Sequence, residues 1–286
     1  MEIKYIIIIY KPMSYIKQEI SMILDSGTDA GAVNKSADGS YFEIQLQDPL
    51  ALPNDAINVQ LAVEEAEIWW TVPNVITGQN DKFYVTHAGV PYVVTIPQGL
   101  YDLTGISQTI LRELENLGLP TSPALFTFSP DTATSKVEIK FNYTTTSIDF
   151  TQPDTPRLLL GFNAAVIGLV PVAGETIVAD NVASFNTVNY FLLHSDLTTS
   201  GIRNNNTYTQ TVAKVAIDVA PGSQIVYKPF NPARINADDL IGASRTNIKV
   251  WLTDDLNNRV NTNTESYSLR VVIRYQVPVE KVLYGQ

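Results

Sequence analysis

Cysteine is absent from the 286 residues, which excludes disulfide frameworks, thiolate zinc sites and cysteine nucleophiles. Histidine is nearly absent. Only His87 and His194 are present, so any histidine-dependent chemistry rests on one of two positions. Neither has a second histidine at i+2 or i+4 with which to share a metal. Charged residues make up only 17% of the chain, and their balance is −10. Affinity for duplex nucleic acid comes largely from neutralised phosphates, so that balance argues against direct duplex binding. Long apolar runs are missing too. The most hydrophobic window, Tyr5-Ile6-Ile7-Ile8-Ile9-Tyr10, is far short of the roughly 20 residues a membrane span needs. It is also short for a signal-peptide core, and no small-residue cleavage pattern follows it. Phosphate-cradling glycine motifs of the G-x-x-x-x-G-K-[ST] and G-x-G-x-x-G types do not occur, nor does G-x-S-x-G.

The Tyr5–Tyr10 run has three readings: an N-terminal strand, a segment upstream of a true start at Met13 rather than Met1, or an arm that adds a strand to a neighbouring subunit. Ile16, Ile20, Ile23 and Leu24 suggest a short helix, after which Gly, Ser, Ala and Asp predominate. Residues 1–40 are therefore expected to be an N-terminal arm and linker.

From Tyr41 onward β-structure dominates. Phe42, Ile44 and Leu46 alternate with polar residues, as expected of a half-buried strand. Val59, Leu61 and Val63 alternate likewise, but past Glu64-Glu65 the inward set becomes Ala66, Ile68 and Trp70. A one-residue phase change of this kind predicts a β-bulge. Tyr92–Ile96, between Pro91 and Pro97, reads as a strand. Pro97-Gln98-Gly99 reads as a turn with positive φ at Gly99. Thr104 is placed to cap a helix carrying Ile106, Ile110, Leu111, Leu114 and Leu117, ended by Gly118 and Pro120. Ser147–Phe150 reads as a short strand, and residues 163–186 as a long loop holding one more. Tyr190–Leu193 is a fully buried run. Ala213–Val219, Ile225–Tyr227, Ile248–Leu252 and Tyr267–Tyr275 continue the strand pattern. Many short strands, Pro/Gly/Asn turns and one amphipathic helix predict an all-β fold, a Greek-key jelly-roll β-sandwich with the helix inserted between strands.

Residues that could carry chemistry are few. His194-Ser195-Asp196 holds the three residue types of a hydrolase triad, but consecutive strand residues face opposite ways and cannot converge. The same alternation separates Glu64 from Glu65. Asp254-Asp255-Leu256-Asn257-Asn258 offers oxygen ligands for calcium, yet lacks EF-hand spacing and reads rather as a hairpin turn. Trp69, Trp70 and Trp251 could serve as sugar-stacking platforms, although one of an adjacent pair on a strand must face inward. Arg203-Asn204-Asn205-Asn206-Thr207 reads as an exposed tip. No catalytic, cofactor or metal site is assigned.

The motifs also occur in a characteristic order. Ile68-Trp69-Trp70-Thr71-Val72-Pro73-Asn74 precedes Asn80-Asp81-Lys82-Phe83, followed by Ile96-Pro97-Gln98-Gly99-Leu100-Tyr101-Asp102-Leu103 and its helix. Ser147-Ile148-Asp149-Phe150 leads to Leu159-Leu160-Gly161-Phe162; Asn189-Tyr190 to Asp196-Leu197 follows, and Trp251-Leu252-Thr253-Asp254 precedes the last strand. Over residues 41–276 this succession resembles the jelly-roll minor capsid (penton) proteins of Polinton-type elements and virophage-like viruses of the adenovirus–tectivirus lineage. The resemblance implies a jelly-roll capsid domain over 41–277 with a tail at 278–286. It also implies a homopentamer closing icosahedral vertices beside a major capsid protein, a virion location, and no catalytic residues. A host receptor or spike, and an internal membrane beneath the shell, are further partners consistent with that lineage.

Two alternatives stay open. One is the double-jelly-roll major capsid protein of the same lineage, which forms pseudo-hexagonal trimers. It needs about sixteen strands, where about twelve are placed here. The other is a carbohydrate- or receptor-binding β-sandwich, which explains the tryptophans and the Thr/Asn-rich loops equally well.

Overall fold

A computed structural model describes residues 14–204 and 207–279 of the chain. The Tyr5–Tyr10 run, Met1, Met13, Asn205-Asn206 and the tail beyond residue 279 lie outside the described residues. From the N-terminal side come β1 (Tyr15–Asp25), β2 (Ala32–Val33), β3 (Tyr41–Ala51) and β4 (Ile57–Trp69). Residues 75–185 then supply β5 (Lys82–His87), β6 (Val90–Thr95), helix α1 (Leu103–Asn116), β7 (Phe126–Asp131) and β8 (Lys136–Phe141), followed by β9 (Thr146–Asp149), the single-turn α2 (Arg157–Leu160), β10 (Val166–Gly168) and β11 (Thr176–Val178). The chain returns with β12 (Tyr190–Ser195), β13 (Ile202–Asn204), β14 (Thr207–Ala216), β15 (Gln224–Tyr227), β16 (Ile235–Asn236), β17 (Ser244–Thr253) and β18 (Ser268–Pro278).

Eight of these strands form the framework, and their pairing defines it. β1 pairs with β18, β3 with β17, β4 with β15 and β12 with β14, all antiparallel. The first four framework strands thus pair with the last four in reverse order, like one long hairpin. Two further pairings, β18 with β4 and β17 with β12, roll that hairpin into two sheets. Their orders are β1-β18-β4-β15 and β13-β14-β12-β17-β3-β2. This is the jelly roll, two interlocked Greek keys.

Alternation along each strand fills the space between the sheets. Phe42, Leu61, Ile68, Phe191, Leu193, Val250, Leu252, Leu269 and Ile273 are all buried there. Trp70 is 2% exposed and meets Phe191 edge-on at 5.8 Å, while its neighbour Trp69 faces out at 38%. The phase change in β4 is a bulge: Arg270 pairs with Glu65 and Val271 with Val63, leaving Glu64 as the extra residue.

The helix expected over Ile16–Leu24 is instead strand β1, in register with β18 from Tyr15↔Pro278 to Asp25↔Ser268. Ile16, Ile20 and Leu24 recur at i+4, which puts them on one face of a helix and equally on one face of a strand. Ile23, which fits only the helical stripe, is 75% exposed.

Residues 75–185 build a second core of their own. Phe83, Phe126, Phe141, Phe150 and Phe162 pack with Ile106, Ile110 and Leu114 of α1 between the sheets β10-β9-β5-β6 and β11-β8-β7. This unit is not a second jelly roll, so the described chain holds one. Two local expectations are corrected here. The α1 cap is Asp102, whose Oδ1 accepts from the Gly105 amide at 2.6 Å, and Thr104 lies inside the first turn. Gly99 does not take positive φ; it forms an isolated antiparallel bridge with Val75, so the turn is of another kind. Gly118 does hold positive φ at the helix end, at 81°. The 163–186 stretch contains two short strands rather than one, each pairing at a sheet edge.

Candidate assembly surface

Strand geometry disperses the chemistry-bearing side chains. His194 is 1% exposed, with Nε2 2.8 Å from Thr253 Oγ1 and Nδ1 3.2 Å from Thr211 Oγ1. Its ring stacks on Trp251 at 5.3 Å, and the Arg259 guanidinium lies over Trp251 and Tyr41. Burial, helped by Arg259, lowers the imidazole pKa to about 4. Ser195 Oγ accepts instead from the Leu197 amide and Asp196 Oδ1 from the Lys249 amide, so no triad forms. His87 Nδ1 sits 2.9 Å from Thr146 Oγ1, in the other unit.

The acidic candidates hold structure. Asp254 Oδ1 accepts from the Leu256 and Asn258 amides, closing the β17 hairpin turn, and Asp255 Oδ2 accepts from Asn189 Nδ2 at 2.7 Å. Among the described residues no three His, Cys, Asp or Glu side chains converge as a metal group. Glu65 faces Lys228 at 3.4 Å, while Glu64 turns to Arg270 and Arg274. Trp251 is occupied by its stack on His194. Of Arg203–Thr207, Arg203 and Asn204 end β13 and Thr207 begins β14. No helix among the described residues is long and apolar enough to cross a membrane.

Two motifs far apart in sequence do meet. Asn74, 1% exposed, donates from Nδ2 to Tyr101 O at 2.7 Å and to Phe185 O at 2.9 Å. Its Oδ1 accepts from the Tyr101 amide at 2.9 Å, and its own amide donates to Gly99 O. One buried carboxamide therefore ties the point where the chain leaves the jelly roll to the point where it returns. In the sequence Pro73-Asn74 and Gly99-Leu100-Tyr101 belong to separate motifs. The only signal for Asn74 is a carboxamide directly after Trp70-Thr71-Val72-Pro73, which reads equally as a turn.

The jelly roll leaves surfaces suited to contacts with neighbours. On the outer face of the β1-β18-β4 sheet, Arg274 holds Glu19 at 2.8 Å and Glu64 at 2.5 Å, with Arg270 3.7 Å from Glu64. On the same face Ala62 and Val272, register partners, are buried outside the sandwich core. Among the described residues β1 pairs only with β18, so its other edge is open along eleven residues. Across the sheet, Val226 of the β15 edge is exposed, and Phe230 is wholly exposed between Pro229 and Pro232. An aromatic side chain held on a short proline-bounded loop is the kind of anchor that protein interfaces use.

Solved structures similar to the chain include two that match over 92% of its length. One is the penton protein of mavirus, at 12% identity and TM-score 0.40 over 99% of that chain. The other is from the Sputnik virophage structure determined by cryo-electron microscopy, at 15% identity and TM-score 0.40 over 98% of that chain. No protein-family model and no curated protein sequence matches.

Proposed function

We propose that the chain is a structural virion protein, the penton that closes the five-fold vertices of an icosahedral shell. The observation that carries this reading is the complete jelly-roll pairing, one framework with its interior filled by apolar side chains. Jelly rolls of this kind serve capsids and lectins, or, as cupins, enclose a ligand cavity. An interior packed with Phe42, Trp70, Phe191 and Leu252 does not fit the last of these. A single framework fits a vertex protein better than a double-jelly-roll trimer, and the motif succession from Ile68 to Asp254 favours the same assignment.

In this reading the protein is not an enzyme. Its histidines and carboxylates stabilise turns and sheets. It works by assembly, as a homopentamer whose heterologous contacts close a ring, with the major capsid protein as its outer neighbour. The open β1 edge and the Val226–Phe230 margin are the surfaces such contacts would use. Negative-stain imaging of the purified full chain tests this. Five-fold rings support it, and three-fold particles with a pseudo-hexagonal outline would replace it with the major-capsid assignment.

A further inference from the structure

On the outer face of the β1-β18-β4 sheet, where β1 begins and β18 ends, an open cleft of about 480 Å³ lies among Lys17, Arg274 and Arg234. Its volume falls within the range of small-ligand sites. Its charge runs against that of the whole chain. Among the described residues, three cations and a single carboxylate, Glu19, line it, in a protein whose formal balance is −10. Arg274 is engaged by Glu19 and Glu64. Among the described residues, the side chains of Lys17 and Arg234 have neither an ion pair nor a hydrogen-bond partner. Two unpartnered cations beside one cleft favour an incoming anion.

The uncharged part of the lining narrows the kind of anion. Asn58, Gln60 and Gln276 contribute three carboxamides from that face, whereas Gln18 and Tyr275, register partners, point to the opposite face, where the Tyr275 hydroxyl donates to Gln18 Oε1 at 2.8 Å. A carboxamide both donates and accepts, which matches sugar hydroxyls that also do both; an acidic peptide side chain would call for donors alone. The Gln60 carboxamide has no hydrogen-bond partner among the described residues, and Asn58 Nδ2 donates to Gln276 Oε1 at 3.1 Å. The backbone is unusual at the same place. Asn58 holds φ 54°, and the β4–β18 register shifts between Arg274 and Gln276. Such irregularities re-aim side chains, and strain of this kind gathers at functional sites.

We propose that this cleft binds an acidic saccharide. Lys17 and Arg234 take its carboxylate or sulfate, and the carboxamides of Asn58, Gln60 and Gln276 take its ring hydroxyls. This goes beyond the vertex reading and does not depend on it, because binding is measured on the full chain in whatever oligomeric state it adopts.

The test is calorimetric titration with sialyllactose, sulfated lactose, neutral lactose and an oligoglutamate peptide. The expected result is binding of sialyllactose or sulfated lactose that weakens as salt is raised. Whichever of the two binds identifies carboxylate or sulfate as the recognised group. The double variant Lys17→Gln with Arg234→Gln should weaken that binding by about tenfold or more, because two charge-assisted contacts are lost. Lys140→Gln, on the 75–185 unit, should leave it unchanged. Both cleft cations are exposed and unpartnered, so the double variant should melt like the parent chain. Equal affinity for neutral lactose, equal affinity for oligoglutamate, or no binding of either acidic sugar would overturn the proposal.

Discussion

Replacing Asn74 with alanine should loosen the joint between the jelly roll and the 75–185 unit. The side chain makes three hydrogen bonds, two to carbonyl oxygens of Tyr101 and Phe185 and one from the Tyr101 amide. Each neutral bond contributes roughly 1 kcal/mol net, and a buried group left without a partner costs more than one that water can reach. Tyr101 and Phe185 are only half-buried, so water recovers part of the loss, and Asn74→Ala should cost about 3 kcal/mol in total. Urea unfolding followed by tryptophan fluorescence measures this, since Trp70 lies four residues from the joint. Hydrogen exchange supplies the local readout. The Tyr101 amide should exchange much faster in the variant, while amides in the middle of β17 keep their protection. Asn74→Asp should be worse near neutral pH, because a carboxylate would face two carbonyl oxygens, and it should recover as the pH falls and the acid protonates. A loss under about 1 kcal/mol, or a larger one with unchanged exchange at Tyr101, would refute the clasp.

Three other outcomes follow from the same geometry. Deleting residues 1–12 should leave the sandwich folded and weaken assembly, whereas deletion through Asp25 removes β1, strips the β18 edge and should give aggregated protein; equal solubility of the two would contradict the placement of β1. Burial holds the folded His194 pKa near 4, below the ordinary imidazole value of about 6.5, so the unfolded chain binds its proton first. Its contribution is fully present above pH 6.5 and should decline by up to about 3 kcal/mol as pH falls to 4. Stability curves of the parent and His194→Gln should therefore diverge across that window, and parallel curves would refute the assignment. Gly161 holds φ 82°, and a Cβ there would lie 2.3 Å from Asn181 O, so Gly161→Ala should cost about 3 kcal/mol or more in thermal or urea unfolding. A variant as stable as the parent would show that the α2 end can shift.

Much of the framework is legible in the sequence, and the reasons are local. Leu269, Val271, Ile273 and Tyr275 alternate because one face of β18 is buried, and the slip at Glu64 is visible because a bulge changes which residues face inward. Helix α1 is legible from its apolar stripe and its terminal Gly118. β1 is not, since spacing by four residues satisfies helix and strand alike and only the β18 register decides between them. The division into two cores is hidden as well. It depends on residue 74 meeting residue 185, a contact across more than a hundred positions that no local pattern encodes. The cleft beside Lys17 is illegible for the same reason: its residues come from β1, β4, β18 and the loop before β16. The absence of a triad could be foreseen, because strand alternation alone keeps His194, Ser195 and Asp196 apart.

The most direct test of the vertex assignment is the absolute mass of the purified full chain by multi-angle light scattering. The account predicts a particle of five chains of 31.5 kDa each, persisting on dilution into the micromolar range. A mass of three chains, or of one chain at every concentration, would contradict it.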